Sequence, residues 1–71
     1  MRVARHWWNG HADIRGRRDV FIRTDGEQWE VEAQAGGDAG RAKVHQCPGL
    51  ASAEILAKAW MGGPANWREV C

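Results

Sequence analysis

Asp19-Val20-Phe21-Ile22-Arg23-Thr24-Asp25-Gly26-Glu27-Gln28-Trp29-Glu30-Val31-Glu32-Ala33-Gln34 is the stretch that decides how this chain folds. Val20-Phe21-Ile22-Arg23-Thr24 carries the β-branched and aromatic side chains that suit a pleated, half-buried surface. Gln28 to Gln34 alternates polar and apolar, the period-2 signature of a strand with one face on a core. Asp25-Gly26 lies between them, and both residue types tolerate the positive φ of a type I′ turn. A two-residue turn there pairs Thr24 with Glu27, Ile22 with Trp29 and Val20 with Val31. Apolar side chains then meet on one face and Phe21 lies opposite Glu30 on the other, as a hairpin with one buried side requires.

Downstream, Ala35-Gly36-Gly37-Asp38-Ala39-Gly40 has the composition of a loop. Arg41-Ala42-Lys43-Val44-His45-Gln46 alternates again and reads as a third strand. Setting Ala33 opposite Ala42 brings Val31 to Val44 on the core side. The outer side then pairs Glu32 with Lys43 and Glu30 with His45, contacts worth about 0.2–1 kcal/mol each. Pro48-Gly49 ends the strand. Ser52 is the expected N-cap of a helix, with Glu54 in the first turn where the helix dipole favours an acid. Ile55, Leu56, Ala59 and Trp60 share one helical stripe, and Gly62-Gly63-Pro64 stops the helix. Asn66-Trp67-Arg68-Glu69-Val70 has room for a short fourth strand. The expected fold is therefore α+β: a three-stranded antiparallel β-meander, one C-terminal helix packed on one face, and a short extra strand at the C-terminus. Val20, Ile22, Trp29, Val31, Val44, Ile55, Leu56 and Trp60 are the expected core.

Upstream, residues 1–18 hold no sustained period of 2 or 3.6 and include Gly10 and Gly16, so they read as an N-terminal arm to a domain over 19–71. Charge is divided along the chain, although the net value is only +1. Residues 1–23 carry six arginines against Asp13 and Asp19, a balance of +4, and the remainder carries −3. A basic arm on an acidic body points to a polyanionic partner, or to an arm that folds back on its own acids. Five tryptophans in 71 residues, with one Phe and no Tyr, make the chain tryptophan-rich. A domain of this size buries only about 60% of its unfolded surface, and each indole can bury roughly 150–250 Å². Two or three carry most of a small core, and the surplus is a motive for dimerisation.

The arm holds the candidate binding residues. Arg2, Arg5, Arg15, Arg17 and Arg18 are placed to neutralise phosphates, and Trp7 and Trp8 to stack on unpaired bases, as in single-strand binders. The competing expectation is that Trp7 and Trp8 pack over the edge of the core while the arginines meet Glu27, Glu30, Glu32 and Glu54. Over about residues 19–61 the element order resembles, in topology, the plant ethylene-response-factor domain and the arm-binding domain of tyrosine recombinases. That resemblance implies a sheet laid in the DNA major groove. Here the middle strand presents Glu30 and Glu32 where such a sheet presents cations, so a nucleic-acid site is expected on the arm.

His6, His11, His45 and Cys47 match no zinc-ligand spacing, and no metal or cofactor is expected. A nucleophilic Cys47 needs an adjacent base and an orienting group; His45 is near in sequence but nothing completes the set, and no catalytic residue is assigned. Cys47 and Cys71 are expected as reduced thiols. The chain has no apolar leader and no long apolar run, so a cytoplasmic protein without a membrane segment is expected. The function expected from these residues is a small non-catalytic interaction module that binds a protein partner or self-associates. The alternative is nucleic-acid binding through the basic aromatic arm.

Overall fold

The Asp25 carboxylate closes the hairpin with four loop residues, where the sequence predicts two. Its Oδ1 accepts the backbone N–H groups of Glu27 and Gln28 at 2.9 and 2.8 Å. Thr24 Oγ1 donates to the Gln28 carbonyl at 2.7 Å and accepts from the Gly26 N–H at 2.9 Å. Gly26 takes φ +103°, a region that L side chains rarely enter. In this computed structural model, which describes residues 1–37, 40–62 and 66–70, the pairs are therefore Thr24 with Trp29, Ile22 with Val31 and Val20 with Ala33. The expected register is out by two residues. Because two is a full side-chain period, every residue keeps its predicted face.

The fold is α+β, an antiparallel sheet with one helix, as predicted. The strand count is not. Arg2–Trp8 forms β1, followed by β2 (Arg18–Thr24), β3 (Trp29–Ala35), β4 (Arg41–Cys47), helix α1 (Leu50–Trp60) and a two-residue β5 (Arg68–Glu69). They make one five-stranded sheet in the order β4-β3-β2-β1-β5, in place of a three-stranded meander. The first part of the expected arm is thus an inner strand, paired antiparallel with β2 on one side and β5 on the other. A bulge between Val3 and Arg5 shifts its register. The bulge breaks the alternation that would have announced a strand. Asn9, 7% exposed, ties down the loop that follows. Its Nδ2–H donates to the Gly16 carbonyl at 2.8 Å, and its Oδ1 accepts the N–H groups of His11 and Arg18.

The register of β4 also differs, here by one residue. Val31 lies opposite His45, Glu32 opposite Val44 and Trp29 opposite Cys47. A one-residue slip turns every side chain over. Val44 consequently faces outward, 52% exposed, while Arg41, Lys43, His45 and Cys47 lie on the helix side. The predicted Glu32–Lys43 and Glu30–His45 pairs do not form; Arg23 binds Glu32 instead. The physical reason is position. Helix α1 packs chiefly over β2 and β3, so the edge strand β4 lies largely beyond its cover and burial does not dictate its parity. Cys47 still packs on the core, and Lys43 Nζ sits 4.3 Å from the Trp60 ring centroid.

Helix α1 begins two residues before the predicted cap. Gly49 is the N-cap and makes no side-chain capping bond, so Ser52 lies inside the helix and Glu54 beyond the first turn. Ala53 and Ala57 are fully buried, and Leu56 and Trp60 flank them. Ile55, expected in the core, is 71% exposed. The centre consists of Val20, Ile22, Val31, Ala53 and Ala57, ringed by the half-buried indoles of Trp7, Trp29, Trp60 and Trp67. Large rings at the perimeter leave space only for methyl groups where helix and sheet come closest. Gly63, Pro64 and Cys71, to which the helix stop and a reduced thiol were assigned, lie outside the described residues, as do Asp38 and Ala39 of the loop before β4.

Candidate ligand-binding groove

The seven arm residues do not share one surface. Arg5 and Trp7 point to the helix side of the sheet, opposite Ile22 and Val20. Trp7 packs on the core. The Arg5 guanidinium reaches Glu69 of β5 at 3.3 Å and Glu54 of α1 at 3.7 Å. Trp8 lies on the other side and donates its indole N–H to the His11 carbonyl at 2.9 Å. Its ring is flanked by the guanidinium groups of Arg17 and Arg68. Arg2, Arg15 and Arg18 are exposed.

Arg17 belongs to a buried cluster that the sequence does not announce. The Asp19 carboxylate, 3% exposed, accepts Arg17 Nε–H at 2.8 Å and lies 2.6 Å from His6 Nε2. Burial pushes its pKa up, but the hydrogen bonds and charges of Arg17 and His6 outweigh it and hold Asp19 below the usual carboxylate value. The His6 ring stacks on Phe21 at 4.1 Å. The adjoining cavity, about 330 Å³, is lined by these residues with Ile14, Gln34 and Gly37, none of which is a hydroxyl or thiol nucleophile.

The more open site lies at the opposite face, where the end of α1 meets β2, β3 and β4. Cross-sheet pairing puts Arg18, Ala35 and Arg41 in one row and Val20, Ala33 and Lys43 in the next. The floor is thus Val20, Ala33 and Ala35, and the cations stand at its sides. Trp60 and Trp67 form the facing wall, enclosing about 390 Å³. A second depression of about 660 Å³ shares Arg18, Trp60 and Trp67 with the first and extends it toward Asn9, Asn66 and Arg68. Among the described residues, Arg18, Arg41, Lys43 and Arg68 form no ion pair, whereas Arg5, Arg17 and Arg23 are each held by a carboxylate. The only acid lining the groove, among those residues, is the already engaged Asp19.

One further feature marks this wall. Trp67 Nε1 is shut off from solvent and has no acceptor among the described residues. A buried donor without a partner costs about 1–3 kcal/mol. Of the arm residues singled out from the sequence, only Arg18 borders this site. Arg41, Lys43, Trp60, Trp67 and Arg68 are additions from the fold, foreshadowed only by two tryptophans on either side of a Gly-Gly-Pro stop. His6 is engaged by Asp19, and no three His, Cys, Asp or Glu side chains converge on a metal position among the described residues. No described helix is long and apolar enough to cross a membrane.

Comparison with protein-family models, with curated proteins and with solved structures finds no match to this chain.

Proposed function

We propose that this protein is a small non-catalytic interaction module that docks an anionic partner in the groove between α1 and the β2–β4 end of the sheet. The observation that carries this reading is the grouping of Arg18, Arg41 and Lys43, none ion-paired among the described residues, around Trp60 and Trp67. A water-excluding aromatic wall beside unneutralised cations strengthens their attraction for an anion. The His6–Asp19 pair favours no competing catalytic reading, because no nucleophile lines its cavity among the described residues and Arg17 already occupies the carboxylate. The test is a backbone-amide NMR titration with heparin oligosaccharide, polyglutamate and oligonucleotide in turn. Shifts centred on residues 18, 33–35, 41–43, 60 and 67 with at least one of them support the reading. Silence from all three sinks it.

A second reading, self-association, is favoured by the outer side of α1. Ile55 stands 71% exposed there, with Ala51 and Ala59 exposed one turn to either side. A helix apolar on both sides normally has a neighbour on both. Sedimentation equilibrium of the wild type and of Ile55→Glu checks it: a dimer that the substitution dissociates supports self-association, and a wild-type monomer at high concentration dismisses it.

A further inference from the structure

We infer that the ligand of this groove is a single-stranded nucleic acid, with one base held in the slot beside Trp60 and Trp67 and its flanking phosphates on Arg18, Arg41 and Lys43. The inference rests on the proposed groove and names the chemistry it selects. Two properties of the slot point to a base. Its lining combines Val20, Ala33 and Ala35 of the sheet with the indoles of Trp60 and Trp67, an apolar and aromatic surface of the kind on which bases stack. A volume of about 390 Å³ lies at the lower end of the range for small-ligand pockets, roughly 300–1,000 Å³, and suits one nucleotide.

The charges fit the same ligand. Arg18 and Arg41 are separated by β3, hence by two strand spacings or about 10 Å, and Lys43 lies about 7 Å along β4 from Arg41. These cations border both sides of the slot, so a chain entering on one side and leaving on the other meets positive charge at each. An acidic peptide would use the cations but leave the aromatic wall unused. A duplex keeps its bases stacked and cannot insert one without unstacking it, at a cost of a few kcal/mol. Base–aromatic stacking contributes about 1–3 kcal/mol per base and tolerates any sequence, so the expected preference is for strandedness over sequence.

The experiment is fluorescence anisotropy with labelled oligothymidylate, oligouridylate and oligoadenylate and a blunt DNA duplex of equal length, joined to NMR detection of the five indole N–H signals. Single strands should bind at least tenfold more tightly than duplex, and the Trp60 and Trp67 indole N–H signals should shift more than those of Trp7, Trp8 and Trp29. Neutralising about three phosphates gives a slope near −2, so a fourfold rise in salt weakens binding about twentyfold. Arg41→Glu with Lys43→Glu, on the exposed edge strand, should reduce affinity more than tenfold with the amide spectrum of the fold retained. Trp67→Leu, which keeps an apolar side chain and removes the aromatic ring, should weaken single-strand binding without changing the salt slope. Equal affinity for duplex, or oligonucleotide shifts lying away from the groove, overturns the inference. Binding of polyglutamate or heparin in the groove with no oligonucleotide binding overturns the nucleic-acid assignment and leaves the groove standing. No binding of any polyanion removes both. The DNA and RNA arms separate the two sugar backbones.

Discussion

His6 Nε2 lies 2.6 Å from Asp19 Oδ2, joining adjacent strands β1 and β2 across the face of the sheet that α1 leaves uncovered. Arg17 closes on the other side of the same carboxylate, so a buried acid is held by two basic groups from the segment that reads as an arm in the sequence.

Asp19→Asn should destabilise the fold by about 1–3 kcal/mol, the usual cost of removing one partner from a buried hydrogen-bonded group, read from urea denaturation at neutral pH. The pH dependence has a definite sign. The folded-state pKa of Asp19 lies below its unfolded value, so its contribution is fully present above about pH 4 and is lost as pH falls through the depressed value. The stability gap between wild type and Asp19→Asn should therefore narrow on acidification below pH 4. A gap that stays constant down to pH 2 would show that the carboxylate charge contributes nothing.

The hairpin loop gives a contrast between conformation and contact. Nothing lies within 4 Å of a Cβ built on Gly26, yet its φ is +103°. Gly26→Ala should therefore cost about 1–2 kcal/mol through backbone strain alone, with the amide spectrum otherwise preserved. Gly40 is limited by space, since a Cβ there collides with the Ala35 carbonyl oxygen. Gly40→Ala should accordingly perturb the signals of residues 35–41, which a spectrum of the variant will show directly.

Ile55 and Ala57 should exchange the sensitivities that their side chains suggest. Ile55→Gln should change stability by no more than about 0.5 kcal/mol, as at other exposed positions. Ala57→Leu should cost about 1–3 kcal/mol, because three extra carbon atoms must enter a closely packed contact between helix and sheet. Thermal or urea melts of the two variants decide the matter, and a larger loss at Ile55 would reverse the assignment of the buried stripe.

The register of β4 is open to a direct check. Cross-strand NOEs should connect Val31 with His45 and Glu32 with Val44. Val44→Lys should be tolerated within about 0.5 kcal/mol, whereas a Val31–Val44 connection and a large loss would indicate the opposite parity.

Much of this architecture is legible in the sequence alone. Val20-Phe21-Ile22-Arg23-Thr24 and the alternation from Trp29 to Gln34 announced β2 and β3, and the faces assigned to them are the ones observed. The helix and the short last strand were legible from Pro48-Gly49 and from residues 66–70. Strand β1 was not, because its bulge interrupts the period and because His6 and Trp8 are packed on the side normally left to solvent. The groove was legible only in Arg18. Its other members come from β4, from the end of α1 and from the tail, segments distant in the chain that carry no shared pattern.

Local chemistry in the sequence determined the α+β class, the hairpin and the side of each central strand that would be buried, since these depend on side-chain periodicity and turn residues within a few positions. The tertiary structure alone decided the parity of β4, the orientation of α1 about its axis and the grouping of three cations beside two indoles. Those depend on how far the helix extends over the sheet and on which bulky rings occupy the perimeter, properties of the packed whole that no short segment encodes.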